Sequence, residues 1–184
     1  MSFFNTDDDL IVNNIQIKGA MTRAGIIAAG AGISAAERYA ASITKSGGLI
    51  TTRIVVDLTG LVGSATDTDI IGNTGGAANA NFGRITAALN GTIIGGSVLC
   101  LEVPAGGTAD IDFYSAVEAT GAQDALITGL TERVLITAGG AWTSGLARGM
   151  TGLPAADEYL YVCNGAAAGG TFTAGKFLIE LFGV

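Results

Sequence analysis

The sequence predicts an all-β fold, a β-sandwich with jelly-roll-like connections and an extended N-terminal arm. The stretch from Leu49 to Thr59 alternates between core-type and solvent-type side chains, as a half-buried strand does. About eight to ten strand-like segments occur at short spacing, separated by turns in which many of the chain's 29 glycines lie. Helical patterns are almost absent, so sheets packed on sheets are the expected way to bury the apolar faces. Loops of uneven length between these strands favour a jelly roll over an up-and-down barrel.

The strand from Leu49 to Thr59 organises the rest of the chain. Glycines flank it on both sides, at Gly47-Gly48 and at Gly60. One face carries Ile50, Thr52, Ile54, Val56 and Leu58, and the other carries Thr51, Arg53 and Asp57. Later segments are expected to pair with this strand and to cover its apolar face.

Two regions are predicted, an N-terminal arm with an Ala/Gly-rich segment over 1–42 and a β-sandwich domain over 43–184. Residues 33–41 have the composition of a helix, but they could also be extended and lead into the strand-like residues 42–44. The extended alternative is favoured.

Further strands are expected at 68–71, 84–89, 92–103, 109–117, 126–128, 132–137, 157–163 and 176–182. Asn90-Gly91 predicts a tight turn, and Gly95-Gly96 a bulge or bend. In 109–117 the alternation predicts Asp110, Asp112 and Tyr114 on a solvated face, with Ile111 and Phe113 on the core face.

Composition restricts the partners. The chain has 184 residues, enough for one domain with a sizeable core. It carries 9 basic and 16 acidic residues, a net charge of −7 that argues against nucleic-acid binding. Only 14% of the residues are charged, against about 25% in an average soluble domain. Copies of the chain or another partner are therefore expected to cover part of its surface. No apolar run is long enough for a spanning helix, so no membrane partner is expected.

The sequence contains few candidate catalytic residues. The chain has no histidine, which excludes Ser-His-Asp and Cys-His pairs and zinc sites built on histidine. Cys100 and Cys163 lie in apolar runs and are expected to be buried thiols. The acidic pairs Asp67/Asp69 and Asp110/Asp112 are expected at solvated strand edges, with a calcium site left open. We predict no catalytic, metal-binding or cofactor-binding residue and no cofactor.

Two glycine motifs favour an enzyme instead. Residues 30–35 (GAGISA) fit a dinucleotide-binding fingerprint, and Asp57 lies at the spacing of a ribose-binding acid. Residues 170–176 (GTFTAGK) match most of a phosphate-binding loop, but Phe177 replaces the required Ser or Thr. Both motifs need a helix after them, whereas strands are predicted onward. A dinucleotide enzyme is kept as a remote alternative.

Several segments carry a resemblance to known proteins: 50–60 (ITTRIVVDLTG), 69–72 (DIIG), 90–93 (NGTI), 100–107 (CLEVPAGG), 110–120 (DIDFYSAVEAT), 124–127 (DALI), 154–160 (PAADEYL) and 173–181 (TAGKFLIEL). Over residue 43 to the C-terminus the chain resembles small virion proteins of marine tailed bacteriophages, of the capsid decoration or cement type. The resemblance implies a β-sandwich, often jelly-roll-like and commonly trimeric, on the outside of the phage head. It implies no catalytic residues.

The expected function is therefore a non-enzymatic capsid decoration protein. Its partners would be the major capsid protein and further copies of itself, with a trimer favoured, on a virion surface assembled in the host cytoplasm. Expected interface residues are Phe3, Phe4, Ile26, Ile27 and Ile33. The alternative is the shell subunit itself, or a tail or fibre component that touches glycans through Tyr159, Tyr161 or Trp142.

Overall fold

The computed structural model describes residues 27–33, 39–137 and 139–184. The protein is nearly all β, with 45% of residues in strands and 5% in helices, and its sheets are antiparallel. The predicted all-β class is confirmed, whereas the jelly-roll connectivity stays a prediction. Among the described residues, none of the helices has the length and apolar character needed to cross a membrane.

Ten strands and one short α-helix are found in the described part of the chain. In chain order they are β1 Tyr39–Ser46, β2 Leu49–Asp57, β3 Val62–Gly63, α1 Ala87–Asn90, β4 Ile93–Ala105, β5 Ile111–Ala116, β6 Glu132–Ile136, β7 Ala147–Gly149, β8 Tyr159–Asn164, β9 Gly170–Thr171 and β10 Ala174–Gly183. A short 3-10 helix, Ile127–Gly129, precedes β6. The strands form a large sheet in the order β1-β2-β10-β4-β7, a small sheet β6-β5-β8, and the pair β3-β9.

The core lies between the large and the small sheet. Ile54 and Val56 of β2 are fully buried, and Arg53, which precedes Ile54, is exposed, as the alternation predicts. Phe177 of β10 meets Phe113 of the small sheet edge to face, with ring centroids 5.3 Å apart. Because these rings belong to different sheets, their contact joins the two layers.

The predicted strand at 84–89 is wrong. Arg84 forms only an isolated bridge with Tyr159, and residues 87–90 form α1. Thr86 caps this helix, because its hydroxyl accepts the Leu89 N–H. Asn90 does not form a hairpin turn but ends the helix, and Gly91 follows it at φ 68°. The sequence of residues 86–89, Thr-Ala-Ala-Leu, is also compatible with a strand, so it did not reveal the capping bond.

The solvated face predicted for 109–117 is also wrong. All six residues of β5 are buried, including Asp112 and Tyr114. β5 is the central strand of the small sheet, and residues 118–121 bond to the neighbouring strand β8 on the face that carries Tyr114. Tyr161, the cross-strand partner of Tyr114, donates to the Glu118 carbonyl at 2.7 Å and accepts the Gly121 N–H at 3.2 Å. The burial of β5 by segments that are distant in the sequence cannot be predicted from the residues of β5 alone.

A buried carboxylate anchors the beginning of β8. Glu158 accepts hydrogen bonds from the Ser115 hydroxyl at 2.6 Å, the Ala155 N–H at 2.9 Å and the Arg133 guanidinium at 3.4 Å. Burial raises the pKa of Glu158, but these three bonds outweigh it and hold the pKa below its usual value. The charged carboxylate is therefore the form that the fold stabilises.

We expect Glu158 to make the protein less stable in acid. A carboxyl with a depressed folded-state pKa contributes stability above its unfolded pKa of about 4.3, and that contribution is lost as the pH falls through the folded-state pKa. Replacing Glu158 by Gln should destabilise the protein at neutral pH, and the difference from the wild type should shrink near pH 3. Urea unfolding of both proteins at the two pH values measures this, and a difference that does not depend on pH would contradict it.

Candidate interface on the outer face of the large sheet

The structure places two of the five expected interface residues in the core. Ile27 and Ile33 are 3% and 0% exposed, and the Tyr39 hydroxyl donates to the Ile27 carbonyl. Both side chains pack in the core of the chain and are not exposed at its surface. Phe3, Phe4 and Ile26 lie outside the described residues. Strand β1 crosses position 42, the predicted boundary between the arm and the β-sandwich domain.

The solvent-facing side of the large sheet, hereafter the outer face, carries a continuous apolar row. Strand registers place five side chains side by side, one on each strand: Ala40, Val55, Leu178, Leu99 and Ala147. Each belongs to the outward set of its strand, because its neighbours along β2, β10 and β4 point into the core. The row therefore crosses the full width of the sheet.

Charged pairs flank this row on both sides. On one side Arg53 of β2 pairs with Glu180 of β10, with 2.7 Å between nitrogen and oxygen. On the other side Lys176 of β10 pairs with Asp57 of β2 at 3.1 Å. The bond to Asp57 raises the pKa of Lys176. Burial raises the pKa of Asp57, but bonds from Thr59 and Lys176 outweigh it and lower the pKa overall.

Exposed apolar residues extend the outer face along its strands. Leu49 of β2 is 41% exposed, and Leu101 and Val103 of β4 are 42% and 40% exposed. Leu101 and Val103 flank the exposed Glu102, which is paired in register with Lys176, in a stretch where the register of β4 with β10 shifts. An apolar area of this kind on a sheet with few charges is typical of a surface that another protein covers.

Comparisons of the chain with protein-family models, with curated proteins and with solved structures found no match.

In the described part of the dinucleotide motif, residues 30–33, both glycine N–H groups are bonded within the chain. The Gly30 N–H donates to the Asn81 carbonyl at 2.8 Å and the Gly32 N–H to the Asn79 carbonyl at 3.1 Å, so neither can meet a phosphate. A Cβ at Gly30 would lie 2.0 Å from the Asn79 carbonyl oxygen. These glycines allow two backbone segments to approach closely, which is a packing role.

The second glycine motif also differs from a phosphate-binding loop. Residues 170–176 contain strand β9 and the start of β10, with no helix after them. The Phe172 N–H donates to the Leu61 carbonyl at 2.9 Å, and the Thr173 N–H donates to the Ala105 carbonyl at 2.8 Å. Lys176 is already paired with Asp57. The motif's donors are therefore used within the sheets.

Of the four residues in the acidic pairs, Asp67 is exposed as expected, and the other three are more buried than expected. Asp69 is 3% exposed and accepts a hydrogen bond from the Ser64 hydroxyl, and Asp112 is 6% exposed. Burial raises the pKa of Asp110, which is half-buried. Across the described ranges, no group of three or more Asp, Glu or Cys residues is arranged to hold a metal ion.

The aromatic residues considered for glycan contact do not share a surface. Trp142 and Tyr161 are each 1% exposed and belong to the core. Only Tyr159 is partly accessible, with the Arg84 guanidinium 5.7 Å from its ring centroid. A stacking platform for a sugar needs neighbouring exposed rings, and these three do not form one.

Near α1 a shallow groove of about 340 Å³ is lined mainly by small and apolar residues, and its one cation, Arg133, is paired with Glu158.

Proposed function

We propose that the protein is a non-enzymatic virion component that decorates and stabilises a bacteriophage capsid as a homo-oligomer. The observation that carries the proposal is the outer face, an apolar row across five strands that is flanked by two ion pairs. Such a face suits the burial of area against protein, at about 25 cal/mol per Å² of apolar surface before the cost of association.

The use of the polar side chains supports a binding role. The glycine motifs that favour an enzyme serve as close backbone contacts, and the buried carboxylate of Glu158 is bonded within the fold. The net charge of −7 would keep the protein away from packaged nucleic acid. A dense β core that presents flat surfaces is what a protein that reinforces a shell requires.

Purified phage particles that carry the chain test the proposal. We expect many copies distributed over the head, and heads without the protein should assemble but break at lower temperature. Heads that fail to assemble without it would indicate a shell subunit. A few copies at one vertex would indicate a tail component, and either result would contradict decoration.

The N-terminal arm is the proposed contact with the major capsid protein. Replacing Phe3 and Phe4 by Ser should lower particle occupancy at least about tenfold, because burial of each Phe is worth about 1.5–3 kcal/mol. The circular dichroism spectrum should not change. Val117→Ser, at a residue 54% exposed just after β5, is the matched control. Unchanged occupancy of the Phe3 and Phe4 variant would remove the arm from the proposal.

A further inference from the structure

We infer that the outer face binds a second copy of the same chain face to face, with the twofold axis along the apolar row. The inference rests on the proposed function, because it names the surface through which copies meet. The order of charges along two neighbouring strands makes this face complementary to a second copy of itself.

Each of the two central strands carries opposite charges on the two sides of the row. Along β2 the outward residues are Arg53, Val55 and Asp57, and along β10 they are Glu180, Leu178 and Lys176. The registers align Arg53 with Glu180, Val55 with Leu178, and Asp57 with Lys176. Each charge is therefore two residues from the row, on the same face as the apolar residue between them.

A twofold rotation about the row exchanges its two sides. Val55, Leu178 and Leu99 of one copy would then lie over the same residues of the other. Arg53 would face Asp57 of the second copy, and Glu180 would face Lys176. All four contacts of this kind in the pair join opposite charges, so the face is complementary to itself, as a twofold interface requires.

The size of the face is compatible with a weak but specific dimer. Strands about 4.8 Å apart give about 19 Å across the five strands, and the nine residues of β2 extend about 30 Å. Each copy would bury about 600 Å², near the lower limit of about 1,200 Å² in total for specific interfaces. We therefore expect a dimer that dissociates on dilution and at high salt.

Two charge-swapped variants of the full chain test the pairing. Arg53→Glu with Glu180→Arg keeps the ion pair within the chain, and so does Asp57→Lys with Lys176→Asp. In a pair of identical variant copies, however, every contact across the axis would join like charges. In a mixture of the two variants, every such contact would again join opposite charges. A purely structural role of these residues would not produce this dependence on the partner.

Sedimentation measures the result. The wild type should form dimers, each variant alone should raise the dimer dissociation constant at least about tenfold, and the mixture should restore dimers. Leu178→Glu should also abolish dimers, and Leu126→Glu, at a residue 47% exposed outside the large sheet, should not. A monomeric wild type at high concentration, or a wild-type oligomer whose mass survives both swaps, would overturn the inference. Particle occupancy is measured separately, so a failed dimer does not by itself contradict the capsid function.

Discussion

Replacing Trp142 by Ala should cost about 3–5 kcal/mol of unfolding free energy, a large part of the stability of a typical domain. Trp142 is 1% exposed and meets Phe177 and Phe113 edge to face, at centroid distances of 5.3 Å and 6.0 Å. Its indole N–H donates to the Ile111 carbonyl at 2.8 Å, and the Arg148 guanidinium lies 5.0 Å from its ring centroid. The substitution would leave a cavity between the sheets and a buried carbonyl without its donor.

Urea unfolding followed by circular dichroism measures this loss, since the chain has only one tryptophan and the variant would have no tryptophan fluorescence. Trp142→Phe should cost less, because it keeps an aromatic ring in the cluster. Val117→Ala, at a residue 54% exposed, should change the stability by less than about 0.5 kcal/mol. A loss below about 1 kcal/mol for Trp142→Ala would show that this cluster does not hold the two sheets together.

Gly30→Ala should destabilise the protein by about 1–3 kcal/mol or more, because the added methyl group cannot fit. Its Cβ would lie 2.0 Å from the Asn79 carbonyl oxygen and 2.8 Å from the Asn81 side-chain nitrogen. Backbone atoms cannot move aside as a side chain can, so the hydrogen bond from Gly30 to Asn81 should weaken as well. The segment 27–33 would lose its close contact with 79–81.

Thermal unfolding with and without NAD separates this packing role from the remote enzyme alternative. We expect the wild type to gain nothing from NAD, and Gly30→Ala to unfold at a lower temperature. Gly129→Ala is the control, since a Cβ there has no atom within 4 Å and the residue's φ is not positive. Stabilisation of the wild type by NAD that disappears in Gly30→Ala would support the dinucleotide site and contradict our interpretation.

Only part of the candidate interface could be predicted from the sequence. Alternation along β2 correctly assigned Arg53 and Asp57 to the face opposite Ile54 and Val56. The apolar row could not be predicted, because it depends on strand registers that join residues more than 100 positions apart, such as Val55 and Leu178. Ile27 and Ile33 were expected at an interface, but the structure places them in the core. Their short apolar segment gives no local sign of which surface covers it.

Side-chain alternation predicts the fold class and the inward and outward sides of the strand that begins at Leu49, because it is a property of the extended backbone. The composition also indicates a weakly charged protein without histidine chemistry. Three features could be seen only in the folded chain: β5 is buried on both faces, residues 87–90 form a helix, and Gly30 allows a close backbone contact. Each of these depends on which distant segment lies alongside, and a local pattern contains no information about that neighbour.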